Sequence, residues 1–325
     1  MRESIPFIRT VRSGVTETIH RASIVAVKDG QVIFSRGNPN LIVPLRSTAK
    51  PFMLTPLLLQ AEKAGLAFTQ AQICVMASSH NGELIHRNCV QSILELAGCT
   101  YSNLNCGSHF PFYEWLYDEF FQCSDSKERQ LFHNCSGKHA GMLLLCKLLG
   151  IDSAEYWIQE HPIQKLITDS VKEHFDIATN DYFTVGIDGC GVPTYAISIQ
   201  KLAFAYQNFS SSQSLRQVYD AILDEPYMIA GRERIDTLLI NDMRLVAKSG
   251  SDGLFCISCP QQRIGIALKI ESGNDEAAEA AIVEVLDQLR LLSEEVNEKL
   301  DQYRFMRIHT SNGLDSGSYA PIHDD

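Results

Sequence analysis

Two stretches with alternating apolar and polar residues lie near opposite ends of the 325-residue chain. In the first, residues 23–36, the alternation is interrupted by Asp29-Gly30. An Asp-Gly pair between alternating runs predicts a β-hairpin, because both turn residues need positive φ. The second stretch, residues 254–270, has the same alternation on either side of a turn at 259–263. Strands at both chain ends therefore indicate one antiparallel sheet.

Between these hairpins, apolar residues recur at helical spacing. The segments with this spacing are residues 52–64, 84–97, 138–150, 160–175 and 214–224. A last helix is predicted over residues 275–292, which are rich in Ala, Glu and Leu and follow Gly273-Asn274. Short strands are predicted at 182–186 and 195–199.

This order of elements predicts an α+β fold, in which an antiparallel sheet formed from both chain ends is joined to a helical lobe. We expect a single two-lobed domain over residues 1–308, with the helical lobe at roughly 50–240. Residues 309–325 are rich in Gly, Ser and Asp. They are expected to form a flexible C-terminal tail.

Composition narrows the class of protein. Hydrophobic residues make up 45% of the chain and charged residues 21%, which is typical of a globular protein with a large core. The formal net charge of −11 argues against a nucleic acid or an anionic membrane surface as partner. No segment resembles a signal peptide, and none approaches the ~20 apolar residues that span a bilayer. We therefore expect a cytoplasmic protein whose ten cysteines are reduced.

The first candidate for chemistry is RSTAKP, residues 46–51. A serine hydroxyl is a weak nucleophile until a base removes its proton, and a lysine three residues later is one helical turn away. Burial or a second cation keeps such a lysine neutral, so that Lys50 could serve Ser47 as base. Ser-x-x-Lys is also the nucleophile element of β-lactamases and penicillin-binding proteins. The pattern is common, and the alternative is that Ser47 only caps a helix.

Two later fragments extend this pattern. SHN, residues 79–81, stands where a Ser-x-Asn element would stand, and KSG, residues 248–250, resembles a Lys-Thr-Gly strand element. In this order the three fragments echo the constellation of serine amidases. Two neighbouring lysines also lower each other's pKa, which supplies a base at neutral pH. A second serine at position 78 leaves open which hydroxyl acts.

Two glycine-rich loops each carry a cysteine beside a charged or imidazole side chain. They are HNCSGKH, residues 133–139, and GIDGCGVP, residues 186–193. Thiolate and nitrogen ligands suit zinc, so Cys135 and Cys190 are candidates for a soft metal site. Their spacing matches no common zinc-finger pattern. Packed thiols, or a Cys135 nucleophile beside a histidine of its own loop, are alternatives.

Arg46 and Asp188 carry the charges needed to bind a free amino acid. Arginine binds a carboxylate through two parallel hydrogen bonds, and aspartate offers the matching negative charge to an ammonium group. Either residue could equally well form a structural ion pair.

Six segments together resemble one known family. They are RSTAKP (46–51), ASSHNGE (77–83), CSGKHAGML (135–143), GIDGCGVPT (186–194), AGRER (230–234) and VAKSGSDG (246–253). They resemble the bacterial L-asparaginases of the Rhizobium etli inducible type, which are separate from the asparaginases with a threonine nucleophile. The resemblance runs from about Ile8 to Leu292, and its most specific parts are the two cysteine-containing segments.

The resemblance implies a fold similar to the serine β-lactamases and glutaminases, a homodimer, and hydrolysis of L-asparagine to L-aspartate and ammonia. It also implies zinc as a cofactor. The residues it implies are Ser47, Lys50, Ser79 and Lys248 for catalysis; Arg46, His80, His139 and Asp188 for substrate binding; and Cys135, Lys138 and Cys190 for zinc.

In the implied mechanism, Lys50 takes the proton of Ser47, which attacks the side-chain amide of asparagine, while Ser79 and Lys248 form a second Ser–Lys pair. Zinc would have a structural role or orient the substrate, because an amine and two thiolates leave a poor Lewis acid. The alternatives are a glutaminase or β-lactam-reactive serine amidase, a hydrolase with Cys135 as nucleophile, and a zinc-containing amino-acid-binding protein without catalysis.

Overall fold

The computed structural model describes residues 3–323. Within them the strands are β1 (Ile5–Arg12), β2 (Val15–Lys28), β3 (Gln31–Arg36), β4 (Ile42–Pro44), β5 (Thr184–Ile187), β6 (Pro193–Ser198), β7 (Val246–Gly250), β8 (Leu254–Cys259), β9 (Ile264–Ile270), β10 (Arg307–His309) and β11 (Asp315–Pro321).

The α-helices are α1 (Thr55–Lys63), α2 (Gln70–Ala77), α3 (Leu84–Ala97), α4 (Tyr117–Gln122), α5 (Ser136–Leu149), α6 (Pro162–His174), α7 (Ile199–Asn208), α8 (Arg216–Asp224), α9 (Pro226–Ala230), α10 (Ile235–Met243), α11 (Asp275–Gln288) and α12 (Glu294–Arg304). A 3-10 helix, Arg46–Leu54, precedes α1. No helix within residues 3–323 is long and apolar enough to cross a membrane.

The chain divides into two compact units. Of the described residues, the first unit contains 3–48, 197–208 and 242–323. The second contains Ala49–Ala196 and Phe209–Asn241. The helical lobe predicted at roughly 50–240 therefore corresponds to the second unit, except that α7 belongs to the first.

The first unit is built on an antiparallel sheet with the strand order β10-β11-β1-β2-β9-β8-β7, and β3 also pairs with β2. Helix α7 packs against β9 and β2, and α11 packs against β9 and β8. Every residue of β8 is buried. Since successive side chains of a strand point to opposite faces, both faces of the sheet are covered at β8.

The predicted α+β class, with an antiparallel sheet formed from both chain ends, is confirmed. The first hairpin joins β2 to β3, with Lys28 paired to Gln31 and positive φ at Asp29 and Gly30. The second joins β8 to β9, with Cys259 paired to Ile264.

The C-terminal segment differs from the prediction of a flexible tail over 309–325. Strand β11 pairs with β1 from Ile8↔Pro321 to Val11↔Ser318, and it also pairs with β10. A strand needs backbone partners rather than apolar side chains, and most side chains of β11 are only partly buried, so its Gly- and Ser-rich sequence resembles a loop. The prediction was wrong for the residues of β11, while residues 324–325 lie outside the described chain.

The second unit is mainly helical and contains the β5–β6 hairpin. Helix α5 packs against α1, α2 and α3. Its residues are buried without interruption from Ser136 to Cys146, so it lies in the interior of the unit. Lys138 and His139 lie on this helix, which places two polar side chains of the CSGKH motif inside the core.

Candidate active site

The RSTAKP segment folds as the start of the 3-10 helix, with Pro51 inside it. Ser47 and Lys50 are therefore one turn apart, because residues i and i+3 align along a 3-10 helix. Both side chains are buried, Ser47 at 5% and Lys50 at 1% exposure. The boundary between the units follows Thr48, so Ser47 belongs to the first unit and Lys50 to the second.

In the first unit, Thr48, which follows Ser47, contacts the strand that is paired with the strand of Lys248. The Thr48 side chain forms a hydrogen bond with Cys256 of β8, and Cys256 is paired with Lys248 of β7. Lys248 is 1% exposed, and its amine donates to the carbonyl oxygen of Ser249 at 2.7 Å. The first unit thus holds one predicted catalytic serine and one predicted catalytic lysine, both buried.

Arg46 has a partner within the first unit. Its φ of 45° lies in the left-handed region, and its guanidinium donates to the Asp252 carboxylate. The pair is not fully buried, since the Asp252 side chain is 65% exposed. A substrate carboxylate at Arg46 would share the guanidinium with Asp252, so substrate binding by Arg46 stays a prediction.

In the second unit, the Lys50 amine lies among oxygen acceptors. It donates to the carbonyl oxygens of Ser78 at 2.6 Å and Asn134 at 3.2 Å, and to the hydroxyl of Ser79 at 3.0 Å. The Ser78 hydroxyl instead donates to the carbonyl oxygen of Val75 at 2.7 Å, where α2 ends. Of the two adjacent serines, Ser79 therefore places its hydroxyl at the lysine.

Burial lowers the pKa of Lys50, because the interior disfavours its charged form. Cys135, which also forms a hydrogen bond with this amine, opposes the shift, and the positive charge of Lys138 adds to it. The net result is a lysine whose neutral form is more accessible than that of a solvated lysine. A neutral amine is what a general base requires.

The three predicted zinc ligands come together near the first turn of α5. The Lys138 amine lies 3.0 Å from Cys190 Sγ, and Cys135 forms a hydrogen bond with Cys190. Asp188 joins the group, with Oδ2 at 3.7 Å from Cys190 Sγ and 3.9 Å from Lys138 Nζ. Cys135, Lys138 and Cys190 are each no more than 4% exposed.

The hydrogen bond between the two thiols shifts their pKa values in opposite directions. The hydrogen bond from Cys190 lowers the pKa of Cys135 well below the usual range, and the same bond raises the pKa of Cys190. Burial alone would lower the pKa of Lys138, but Cys190, Cys135 and Asp188 together raise it. Lys138 is therefore a buried cation that balances a buried thiolate and a carboxylate.

The donors of this cluster fit zinc, which prefers thiolate and nitrogen ligands. Metal binding would have to displace the protons of Cys190 and Lys138, so the fit depends on pH. Among residues 3–323, no group of three or more His, Cys, Asp and Glu side chains is arranged to hold a metal ion. The predicted set has only two residues of those types, both cysteines, and depends on a lysine for its third ligand.

The two histidines predicted near the substrate lie at 0% exposure in the second unit. His80 uses both ring nitrogens within the protein: Nε2 is 3.0 Å from the Ser136 hydroxyl, and Nδ1 accepts from the Gly82 N–H at 3.0 Å. His139 Nδ1 lies 2.7 Å from the Tyr156 hydroxyl. Its Nε2 is buried and has no hydrogen-bond partner within the described chain, so His139, unlike His80, retains a nitrogen for a ligand.

The structure thus groups eight predicted residues in the second unit: Lys50, Ser79, His80, Cys135, Lys138, His139, Asp188 and Cys190. Arg46, Ser47 and Lys248 lie in the first unit. Sequence reasoning missed Tyr156, which is 1% exposed, accepts the Asn105 N–H at 2.9 Å and holds His139. It follows no glycine-rich motif, and only its three-dimensional contacts identify it.

The chain matches the L-asparaginase II family over residues 8–321. It belongs to the L-asparaginase II family. The match extends past the segments that carry the sequence resemblance and includes strand β11, which the sequence pattern did not predict. A search of curated proteins found no match.

This L-asparaginase II chain is similar in fold to solved structures of low sequence identity. The native form of Mglu is 15% identical, with a TM-score of 0.39, over 85% of this chain and 66% of that chain. An octameric penicillin-binding protein homologue from Pyrococcus abyssi is 12% identical, with a TM-score of 0.41, over 90% and 80%. The chain spans less than two thirds of the Mglu chains.

Proposed function

We propose that this member of the L-asparaginase II family is a serine amidohydrolase that converts L-asparagine and water to L-aspartate and ammonia. Family membership supports hydrolysis of an amide, and the motif resemblance to the Rhizobium etli inducible type supports asparagine as substrate. The observation that carries the proposal is the Lys50 amine, which is buried, bound to oxygen acceptors, and has a lowered pKa.

In the proposed reaction, neutral Lys50 takes the proton of Ser47, and the serine oxygen attacks the side-chain amide carbon of asparagine. The tetrahedral intermediate collapses when the amide nitrogen is protonated, and the C–N bond breaks to release ammonia. Water then attacks the resulting ester, which releases aspartate, and a proton of that water restores the Ser47 hydroxyl. The proton lost from Ser47 thus leaves in ammonia, and water replaces it within one turnover.

The hydrogen bond between Lys50 and Ser79 supports a route for that proton. A proton taken by Lys50 can pass to the Ser79 hydroxyl, which in turn donates its own proton to the departing nitrogen. Lys248 is proposed to form the second Ser–Lys pair with Ser79, as the resemblance implies. Arg46, His139 and Asp188 are proposed to bind the α-carboxylate and α-ammonium groups of the substrate.

We also propose that Cys135, Lys138 and Cys190 hold zinc. When bound, zinc would supply a fixed positive charge that holds together the start of α5 and the loop of Asp188 and Cys190. Asp188 remains within reach of this group and is proposed to orient the substrate ammonium. The homodimer implied by the resemblance and the cytoplasmic location expected from the sequence pattern are part of the same proposal, and size-exclusion chromatography of the purified chain tests the homodimer.

The test is ammonia release from asparagine and from glutamine by the wild type and by Ser47→Ala. The variant should lose about 10⁴-fold or more in kcat while it remains folded, because the nucleophile is gone. Ser258→Ala is the matched control: Ser258 is a buried serine of the first unit, at 1% exposure in β8, and has no proposed role. A Ser47→Ala variant with wild-type turnover contradicts the proposal.

This assay, penicillin labelling and a binding measurement together separate the protein from three alternatives. Equal turnover of glutamine would make the protein a glutaminase, and covalent labelling of Ser47 by penicillin would make it a β-lactam-reactive amidase. Tight asparagine binding without product would indicate a binding protein. Metal analysis of the wild type, Cys135→Ser and Cys190→Ser tests zinc, and the two variants should contain much less metal than the wild type.

A further inference from the structure

The AGRER segment, residues 230–234, belongs to the motif set but has no role in the proposed mechanism. In the structure it lies beside the SHN segment, within the second unit. The Ser79 N–H donates to the Ile229 carbonyl oxygen at 2.9 Å, and the Asn81 N–H donates to the Ala230 carbonyl oxygen at 3.0 Å. Residues 229–230 therefore fix the backbone on both sides of His80.

Asn81 makes side-chain contacts with the same segment. Its Nδ2 donates to the Arg232 carbonyl oxygen at 3.0 Å, and its Oδ1 accepts from Arg234 Nη1 at 3.3 Å. Asn81 is 1% exposed, so these hydrogen bonds are made in the interior. The amide of Asn81 thus uses both its donor and its acceptor on the AGRER segment.

The Glu83 carboxylate also binds this part of the chain. Its Oε1 accepts the Arg232 N–H at 3.0 Å, and its Oε2 accepts the Tyr227 hydroxyl at 2.5 Å. Gly231 makes the close approach possible: its φ is 104°, and a Cβ there would lie 2.5 Å from Glu83 Oε1 and 2.8 Å from Asn81 Nδ2. Only glycine fits at this position, so the segment packs directly against both side chains.

We propose that Asn81 and Glu83, clamped by residues 229–234, are positioning residues that hold the Ser79 hydroxyl at the Lys50 amine. This inference rests on the proposed function, in which the Ser79 hydroxyl passes a proton from Lys50 to the departing nitrogen. The Lys50–Ser79 distance is 3.0 Å. Ser79 binds residues 229–234 through its own N–H, and Asn81, two residues later, binds the same segment. A displacement of residues 229–234 would therefore displace Ser79 as well, because Ser79 and Asn81 both bind that segment.

The test is a double-mutant cycle between Asn81→Ala and Ser79→Ala in the full chain. Asn81→Ala should lower kcat about tenfold to a hundredfold and change KM by less than about threefold, because a displacement near 1 Å at a reacting group can cost that much. In the Ser79→Ala background, Asn81→Ala should have little further effect. Equal losses in both backgrounds, or a loss confined to KM, would overturn the proposal.

Two further variants show whether the loss of activity is specific to this contact. Glu83→Gln keeps the shape of the side chain but weakens its charge-assisted bonds to Arg232 and Tyr227, so it should show the same coupling to Ser79 on a smaller scale. Asn103→Ala is the matched control: Asn103 is an exposed asparagine of the same unit whose Oδ1 accepts the Thr100 N–H at 2.9 Å. It should leave kcat and KM unchanged.

A readout without substrate separates this inference from the proposed function. In a crystal structure of Asn81→Ala, or of Glu83→Gln if the first variant does not fold, the Lys50–Ser79 separation should exceed hydrogen-bond distance, about 3.5 Å. An unchanged separation in the folded variant would overturn the positioning role. If wild type releases no ammonia from asparagine, the proposed function fails, and this distance still decides the positioning role.

Discussion

Lys50 and Lys138 are two buried lysines of the same unit, at 1% and 3% exposure. The Lys50 amine is bound mainly by carbonyl and hydroxyl oxygens, and burial lowers its pKa. The Lys138 amine has the same burial cost, but Cys190, Cys135 and Asp188 outweigh it and raise its pKa. Burial is therefore equal for the two side chains, and their partners set opposite protonation preferences.

The two lysines therefore suit different chemical roles. An amine among dipoles gives up its proton readily and suits a base. An amine beside a thiolate and a carboxylate keeps its proton until something stronger, such as a metal ion, displaces it. Sequence position alone does not distinguish the two lysines, since each follows a serine at short spacing in RSTAK and CSGK.

Among the variants that test the comparison of the two lysines, Lys50→Met should have the largest effect, and that effect is on turnover. Loss of the base should lower kcat about 10³-fold, since general acid–base groups contribute on the order of 10²–10⁴. Ammonia release from asparagine measures it. Lys147→Met is the matched control, because Lys147 is an exposed lysine of the same unit whose amine also binds a carbonyl oxygen, that of Leu96 at 2.7 Å. Turnover of Lys50→Met within tenfold of wild type would remove Lys50 from the mechanism.

Lys138→Met should have its main effect on stability. It leaves the Cys135 thiolate and the Asp188 carboxylate without their cation, and breaking a buried pair in this way costs about 3 kcal/mol or more. Urea unfolding of metal-free protein measures the free energy of unfolding. The contrast between the two lysines fails if Lys50→Met destabilises the protein more than Lys138→Met does.

Tyr156→Phe should have a smaller effect on stability. The variant removes the oxygen that accepts the Asn105 N–H and contacts His139, and a buried polar group left without its partner costs about 2 kcal/mol. Tyr195→Phe is a suitable comparison, because the Tyr195 hydroxyl is also buried and lies 3.3 Å from the Thr168 hydroxyl. Urea unfolding should show a larger loss for Tyr156→Phe, and the reverse order would contradict the role assigned to Tyr156.

The smallest effect concerns His86, a buried histidine of the second unit. Its Nε2 lies 3.2 Å from the Tyr227 carbonyl oxygen, and its Nδ1 is buried without a hydrogen-bond partner within residues 3–323. Burial lowers the pKa of His86, although the Tyr227 carbonyl and Glu83 partly oppose this. The unfolded chain therefore binds a proton near pH ~6.5 that the folded chain resists, so stability falls as pH drops below that value.

His86→Gln should remove part of this acid sensitivity. We expect the loss of unfolding free energy between pH 7 and pH 5 to shrink by about 1 kcal/mol or less, since one pKa unit corresponds to ~1.4 kcal/mol. Urea unfolding at several pH values measures it. At pH 8 the imidazole is neutral in both states, so the difference between the two proteins should be constant there and above. Identical pH slopes would show that His86 does not contribute.

Local rules predicted the parts of the fold that depend on neighbouring residues. The Asp29-Gly30 turn joins β2 and β3, and the helix predicted at 84–97 coincides with α3. Strand β11 was missed because its pairing with β1 joins residues about three hundred positions apart, and its composition is that of a loop. Long-range backbone pairing leaves no pattern within the strand itself.

In the candidate site, too, some residues were identified from sequence motifs, whereas contacts between distant segments were not. The motif resemblance identified Cys135, Lys138 and Cys190, which the structure brings together. The hydrogen bond from Lys50 to Ser79 was not predicted, because the spacing of RSTAK relates Lys50 only to its own neighbours. Tyr156 was missed because a hydroxyl that orients a histidine needs only to be close in space, and no local pattern is required for that.

The pairing of β11 with β1 has a consequence for the order in which the chain is made on the ribosome. Strand β1 emerges first and can pair at once with β2, but its other edge has to wait until residue 321 is synthesised. The second unit ends at Asn241, so all its residues are made before β7, β8 and β9. Vectorial synthesis thus lets the helical unit collapse while the sheet still lacks five of its eight strands. An arrest after β9 would yield a nascent chain whose β1 edge is open to pairing with other chains.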